Sequence, residues 1–249
     1  MSLLDVVSGP RCSTYAEVLA RLLAVETEVG EADGLYWFTK LYREMTAAVA
    51  ERATEGGFRD LDFLEALDCN FAELYFGAVR SFVQNDGQTP SAWWPLFALR
   101  ASKTIIPLQF ALAGINAHIN RDLPVALVQT FLDFETEPQA CDDRHQDYLA
   151  INGILAEVHE RAKAYLLTGV LGAVDTALGR VDDVAELFSF DRARDAAWIA
   201  GEVRFRLLPF GALANQQLAA LDRVVGFAGR GILRPLPVPA TPPLLAIAR

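Results

Sequence analysis

A chain of 249 residues is long enough for one large domain with a sizeable core, and 52% hydrophobic against 22% charged residues excludes a disordered polymer. The 22 Lys and Arg against 32 Asp and Glu leave a formal net charge of −10, and no basic cluster breaks that surplus, so nucleic acid is not an expected partner. No run approaches the roughly 18–20 apolar residues of a membrane-crossing helix, and the first residues lack a basic segment leading into an apolar one. Three cysteines (Cys12, Cys69 and Cys141) without a C-x-x-C spacing read as reduced thiols. The expectation is a soluble cytoplasmic protein without a membrane partner, as a monomer or homodimer.

In chain order, the apolar spacing is helical almost throughout. Thr14-Tyr15-Ala16-Glu17 has the form of a capping box ahead of Leu19, Leu22, Leu23 and Val25. Asp33 can cap a helix through Leu35, Phe38, Leu41, Met45 and Val49 that Gly56-Gly57 ends. Asp60 or Asp62 opens a third, with Phe63, Leu64, Leu67, Phe71, Leu74, Tyr75, Ala78 and Phe82 on one stripe, before the Asn85-Asp86-Gly87 turn. Ser91 is the expected cap of a helix bearing Trp93, Trp94, Leu96 and Phe97, and Pro107 opens a helix towards Asp122. Leu123-Pro124 then starts another, a long helix runs from about His145 to Leu167, and further helices cover about 170–187, 191–208 and 212–229. No period-2 strand, repeat or low-complexity linker interrupts this pattern. The predicted fold is a single compact all-α domain over 1–234, of about nine or ten helices, with a proline-rich tail over 235–249 either packed on the domain or flexible.

Chemistry concentrates around the three histidines, His118, His145 and His159. At about 100° per residue His118 and Asp122 lie about 40° apart on one helix face, with Asn116 and Asn120 paired on roughly the opposite side. A helix with polar groups on both faces, entered from so apolar a turn, either bridges solvent or lines a polar cavity. Asp122 has a second reading as N-cap of the helix at Leu123-Pro124, its carboxylate accepting from the Val125 N–H. Seven residues separate His145 and Asn152, which puts them on one face with Tyr148 between; Asp147 either caps or salt-bridges in that first turn or joins a site. His159, among Glu157, Glu160, Arg161 and Lys163, reads as solvent-facing.

The stretch Gly-Ile-Asn-Ala-His-Ile-Asn-Arg-Asp-Leu-Pro at 114–124, followed by His-x-Asp-Tyr-x-x-Ile-Asn at 145–152, resembles the bacterial family catalogued as domain of unknown function 5995. Phe71-Ala72-x-x-Tyr75 and the tryptophan-containing segment are similar to it as well. The resemblance implies an all-helical cytoplasmic protein. It carries over Asn116, His118, Asn120, Asp122, His145 and Asn152 as motif residues, without roles and without a reaction.

From the residues, three functions compete. The first is a metal-free enzyme using His118, Asp122, His145 and Asp147 for acid–base work on a hydrophobic, aromatic or polyketide-like small molecule, by isomerisation, cyclisation or C–C bond formation. Asn116, Asn120, Tyr148, Asn152, Tyr75 and Trp94 would contact the substrate, within an inventory that also holds Trp37, Phe71, Phe76, Trp93, Phe97 and Phe110. This version needs no cofactor. The second is a metal-dependent hydrolase using His118, Asp122 and His145, although neither H-E-x-x-H nor a paired E-x-x-H is present. The third is a carrier of hydrophobic ligands without catalysis. G-x-S-x-G, P-loop and Rossmann signatures are absent. Cys141 sits among acids that would raise its thiol pKa, and Asp142-Asp143 and Asp182-Asp183 lack the third acid of a diphosphate site. The acid–base enzyme requires His118 and His145 to converge on one ligand.

Overall fold

Capping side chains decide where most of the helices begin. In the computed structural model, which describes residues 1–139, 142–167 and 189–235, Thr14 accepts from the Glu17 N–H to open α2 (Tyr15–Val29) and Asp33 from Leu35 to open α3 (Gly34–Thr54). Asp60, rather than Asp62, accepts from Phe63 and opens α4 (Leu61–Gln84), which Asn85 ends in the left-handed region at φ 51°. A one-turn α1 (Leu3–Val7) precedes them, held by a Ser2–Asp5 capping box. The start of α5 (Trp94–Leu99) departs from expectation. Ser91 does not cap it; instead the Asp222 carboxylate accepts from the Ser91 and Ala92 N–H groups at 2.8 and 3.1 Å.

The chain continues through α6 (Pro107–Ala117), a π-helical turn (His118–Asp122), α7 (Leu123–Asp133), α8 (Asp143–Leu166), α9 (Phe190–Leu207) and α10 (Gly211–Ile232). Among the described residues there is no strand, and the protein is a single all-α domain. The expected helix at 170–187, Cys141, Asp182-Asp183 and the tail from 236 onwards lie outside the described residues. Helix α3 sits between α2 and α6, α7 is covered by α4 and α9, and α10 runs along α6. Helix α8 lies chiefly on α3, with a smaller contact on α6.

The sequence divides α6 from α7 and offers Asp122 as a cap of the second, beside its pairing with His118. The two helices form one continuous rod instead. Asp122 is helical (φ −82°, ψ −39°) and makes no capping bond. Pro124 lacks an N–H, and in a regular helix its ring would collide with the carbonyl four residues back, that of Asn120. The turn widens to absorb this, with the Leu123 N–H reaching back five residues to the His118 carbonyl. The polar residues on one side of the rod now have a plain purpose. Gln109 Nε2 donates to the carbonyls of Ile232 and Arg234 at the end of α10, and Asn116 Nδ2 donates to that of Val225 at 3.0 Å.

Helix α10 is drawn in tightly at Gly226, where an added Cβ would strike the Ser91 carbonyl oxygen, a backbone atom that no rotamer change removes. Gly226→Ala is therefore expected to cost about 1–3 kcal/mol, read as a lower urea midpoint with an unchanged slope.

Candidate functional site

The π turn aims His118 into a cavity between α3, α4, α6 and α8. Phe71 stacks on one face of the imidazole at a centroid distance of 3.4 Å and 7° between planes, and Tyr42 meets it edge-on at 4.5 Å. Nδ1 faces Asp122 Oδ2 at 3.4 Å, the long end of hydrogen-bond range. That carboxylate is wholly buried, at 0% exposure, and is held on three sides: Trp93 Nε1 donates to Oδ2 at 2.8 Å, Arg121 Nη1 to Oδ1 at 2.7 Å, and the imidazole completes the set. Arg121 reaches on towards Asp222 at 3.6 Å, linking the dyad to the anchor of the 91–92 segment. A carboxylate paired with Arg121 offers only acceptors, so the imidazole proton belongs on Nδ1. Nε2 is then a bare lone pair, and it is buried without a partner. Burial pushes the imidazole pKa below its ordinary 6.5, with Asp122 pulling the other way.

Four more buried polar atoms in residues of the same cavity lack a well-formed hydrogen bond, namely Tyr15 Oη, Tyr42 Oη, Thr46 Oγ1 and Asp68 Oδ2, although the Thr46 hydroxyl is close enough to Tyr42 and Asp68 to favour the charged form of each. Apart from them and Arg194, the lining is apolar. Phe38, Leu41, Met45 and Val49 of α3 face Leu64, Leu67 and Phe71 of α4, with Ile115 and Ile119 beside His118 and Ile151 and Leu155 from α8. The free volume is about 80 Å³. Burial, reinforced by the nearby Glu65 charge, pushes the Asp68 carboxyl up to about 7, against a smaller opposing effect of the Thr46 hydroxyl. Burial also drives both tyrosines up, so their hydroxyls stay protonated. Five buried polar atoms without a well-formed hydrogen bond around one space are far from the usual outcome of folding, and they are what a bound polar molecule would satisfy.

The expected site residues separate into those at this cavity and those that hold the fold. His118 and Asp122 form the dyad. His145 does not join them. It begins α8, where its ring packs on Trp198 at 4.4 Å, whereas α8 meets the cavity at Ile151 and Leu155, about 9 and 15 Å further along at 1.5 Å per residue. Asp147 is absent from the cavity lining; its Oδ2 accepts from the Arg59 and Asp60 N–H groups at 2.8 Å each and fixes the entry to α4. Asn116 and Asn120 bond each other at 3.1 Å on the α10 side of the rod, away from the cavity. Tyr148 donates to the Arg194 carbonyl and Asn152 accepts from Arg194 Nε, so both tie α8 to α9. Tyr75 is fully buried and bonds Thr39 at 2.6 Å. Trp94 is 49% exposed and packs on Phe82; its neighbour Trp93 is the tryptophan that matters. His159 is half-buried against Phe190 rather than solvent-facing. With His145 elsewhere, the three-ligand metal set is not assembled, and among the described residues no three His, Cys, Asp or Glu side chains gather as one could.

Asp68, Thr46, Tyr15 and Arg194 escaped the sequence reading, yet a signal existed. Asp68 sits at an apolar position of its own stripe, between Leu64, Leu67 and Phe71, and Thr46 does the same among Tyr42, Met45 and Val49. A polar residue inside an otherwise unbroken apolar face has to be satisfied or used.

Fold and site together define an all-helical protein with a buried, polar-studded apolar cavity. The chain belongs to a family of unknown function, DUF5995, whose family model matches residues 15–235. No curated protein and no solved structure matches it. Among the described residues no helix is long and apolar enough to cross a membrane.

Proposed function

We propose that this protein is an acid–base enzyme that moves a proton within a small, largely apolar molecule held in the His118 cavity. The reading rests on the bare His118 Nε2 and on Asp68, whose Oδ2 makes no well-formed hydrogen bond, lining one cavity. In an isomerisation, Nε2 takes a proton from carbon, and the imidazolium so formed is held by Asp122. Asp68 in its acid form delivers a proton to a second atom of the molecule, and the two groups exchange their proton before the next turnover. No oxidant, reductant or co-substrate is needed. A Brønsted acid with a pKa of about 7 is well placed for such transfer near neutrality. The volume of about 80 Å³ restricts the substrate to a few heavy atoms as the side chains stand. Apolar cavities of about 150 Å³ take up benzene, so a single ring requires Met45 or its neighbours to move, and a polyketide-sized molecule does not fit.

Incubating candidate ligands with the protein in D2O and following carbon-bound deuterium by NMR tests this whatever the product is. Exchange that His118→Ala and Asp68→Asn each slow by about 10²–10⁴-fold is expected. Ligands that bind in the cavity without any exchange would leave the carrier as the correct account, which the mostly apolar lining favours.

A further inference from the structure

One charged side chain of the cavity wall has no role in that scheme. Arg194 is 5% exposed, yet it makes no ion pair among the described residues. Its Nε donates to Asn152 Oδ1 at 2.7 Å and one terminal nitrogen to the Tyr148 carbonyl at 2.8 Å, both neutral acceptors, while the guanidinium lies over the Tyr148 ring at 4.0 Å. The acids nearest in sequence, Asp191 and Asp195, are exposed on the outer side of α9. A guanidinium buried with no ion pair among the described residues, and with only the weaker field of Asp195 and Asp191 to offset its burial, is an expensive arrangement for a fold to keep. Three neutral contacts hold this one rigidly in place, so it is not a side chain stranded by chance. Phe190 and Arg194, four residues apart, turn the same face of α9 to the cavity.

We propose that the missing counter-charge belongs to the ligand: the cavity binds a small monocarboxylate, its carboxylate against Arg194 and its apolar part among the aliphatic side chains. This rests on the cavity being the ligand site, as argued above. The remaining polar groups suit an anion, because the Tyr15, Tyr42 and Thr46 hydroxyls and the Asp68 carboxyl in its acid form can all donate. A single guanidinium in an apolar enclosure matches one negative charge. Phosphate, more highly charged and without an apolar part, would leave the aliphatic walls uncovered. Guanidinium presents a planar fork that fits a carboxylate, which is the advantage of Arg over Lys at such a position.

The test titrates the full chain with butyrate and benzoate, with butyramide and benzamide as uncharged counterparts, and with inorganic phosphate, following the His118 ring signals by NMR. The acids are expected to shift those signals and to bind about tenfold or more tightly than their amides, the margin of a charge-assisted over a neutral hydrogen bond. Arg194→Lys should narrow that margin, and Met45→Trp, which fills the cavity, should abolish binding. The comparison of acid with amide uses the unaltered protein, so it decides the matter even if the Arg194 variant fails to fold. Amides binding as well as acids, phosphate binding in preference to both, or no acid reaching His118 would each overturn the inference. Deuterium exchange in a bound amide, lost in His118→Ala, would in that case leave the acid–base reading standing.

Discussion

Asp122→Ala is expected to lower stability by about 3–5 kcal/mol, the cost of stripping a buried charge of its partner. The carboxylate is completely enclosed, and its removal leaves the Trp93 indole N–H and part of the Arg121 guanidinium unpaired in the interior. In a protein of this size that corresponds to a melting temperature lower by about 10 °C, measured by circular dichroism. Asp122→Asn separates the structural from the chemical contribution. It keeps the volume and an acceptor oxygen for Trp93, so most of the fold stability should return. Its amide cannot hold the Nδ1 proton as an anion does, nor stabilise an imidazolium. Proton transfer by His118 should fall by roughly 10²–10⁴-fold in a variant that is folded.

The opposite result is expected at Asp68, a half-buried residue whose Oδ2 is shut off from solvent. Asp68→Asn should stabilise the protein under mildly alkaline conditions. With a pKa raised from 3.8 to about 7, Asp68 holds its proton in the folded state over a range where the unfolded chain has released it. Its contribution is therefore fully present below about pH 4, declines as pH rises, and has become a penalty above about pH 7. A rise of about three powers of ten in proton affinity corresponds to roughly 4 kcal/mol, so the melting temperature of Asp68→Asn should exceed that of the parent by about 10 °C near pH 8. Near pH 4 the two should melt together. A parent chain as stable as the variant at both pH values would mean that Asp68 is solvated in the folded state, and would remove the acid from the proposed mechanism. The comparison sets two carboxyls side by side. Asp122 has Arg121 and Trp93 and supports the fold; Asp68 has burial and a like charge against it and only the Thr46 hydroxyl in its favour, and strains the fold. Strain kept at a cavity wall is a familiar property of groups that perform chemistry.

The helices were legible because their determinants are local. Caps such as Thr14, Asp33 and Asp60, the turn at Asn85, and apolar residues three and four apart act within one or two turns of the chain, and α2 to α4 start and stop where those residues demand. The His118–Asp122 pairing was legible for the same reason, being four residues apart on one rod. Pro124 misled because proline marks both a helix start and a widened turn inside a longer helix, and only the covering helices determine which. The second half of the site could not be read this way. His145, Asp147, Tyr148 and Asn152 share the composition of a site, yet each is consumed by a contact with α9 or with the entry to α4 that depends on where those elements lie. Conversely, Tyr15, Thr46, Asp68 and Arg194 come from four helices, and no spacing along the chain connects them. Periodicity says which face of a helix is buried. Whether a polar atom on that face finds a partner or is left facing a cavity depends on the neighbouring helices and on how closely they pack. The sequence by itself therefore determined an all-helical domain and one histidine–aspartate dyad, and the packing of α3, α4, α8 and α9 around that dyad decided what stands opposite it.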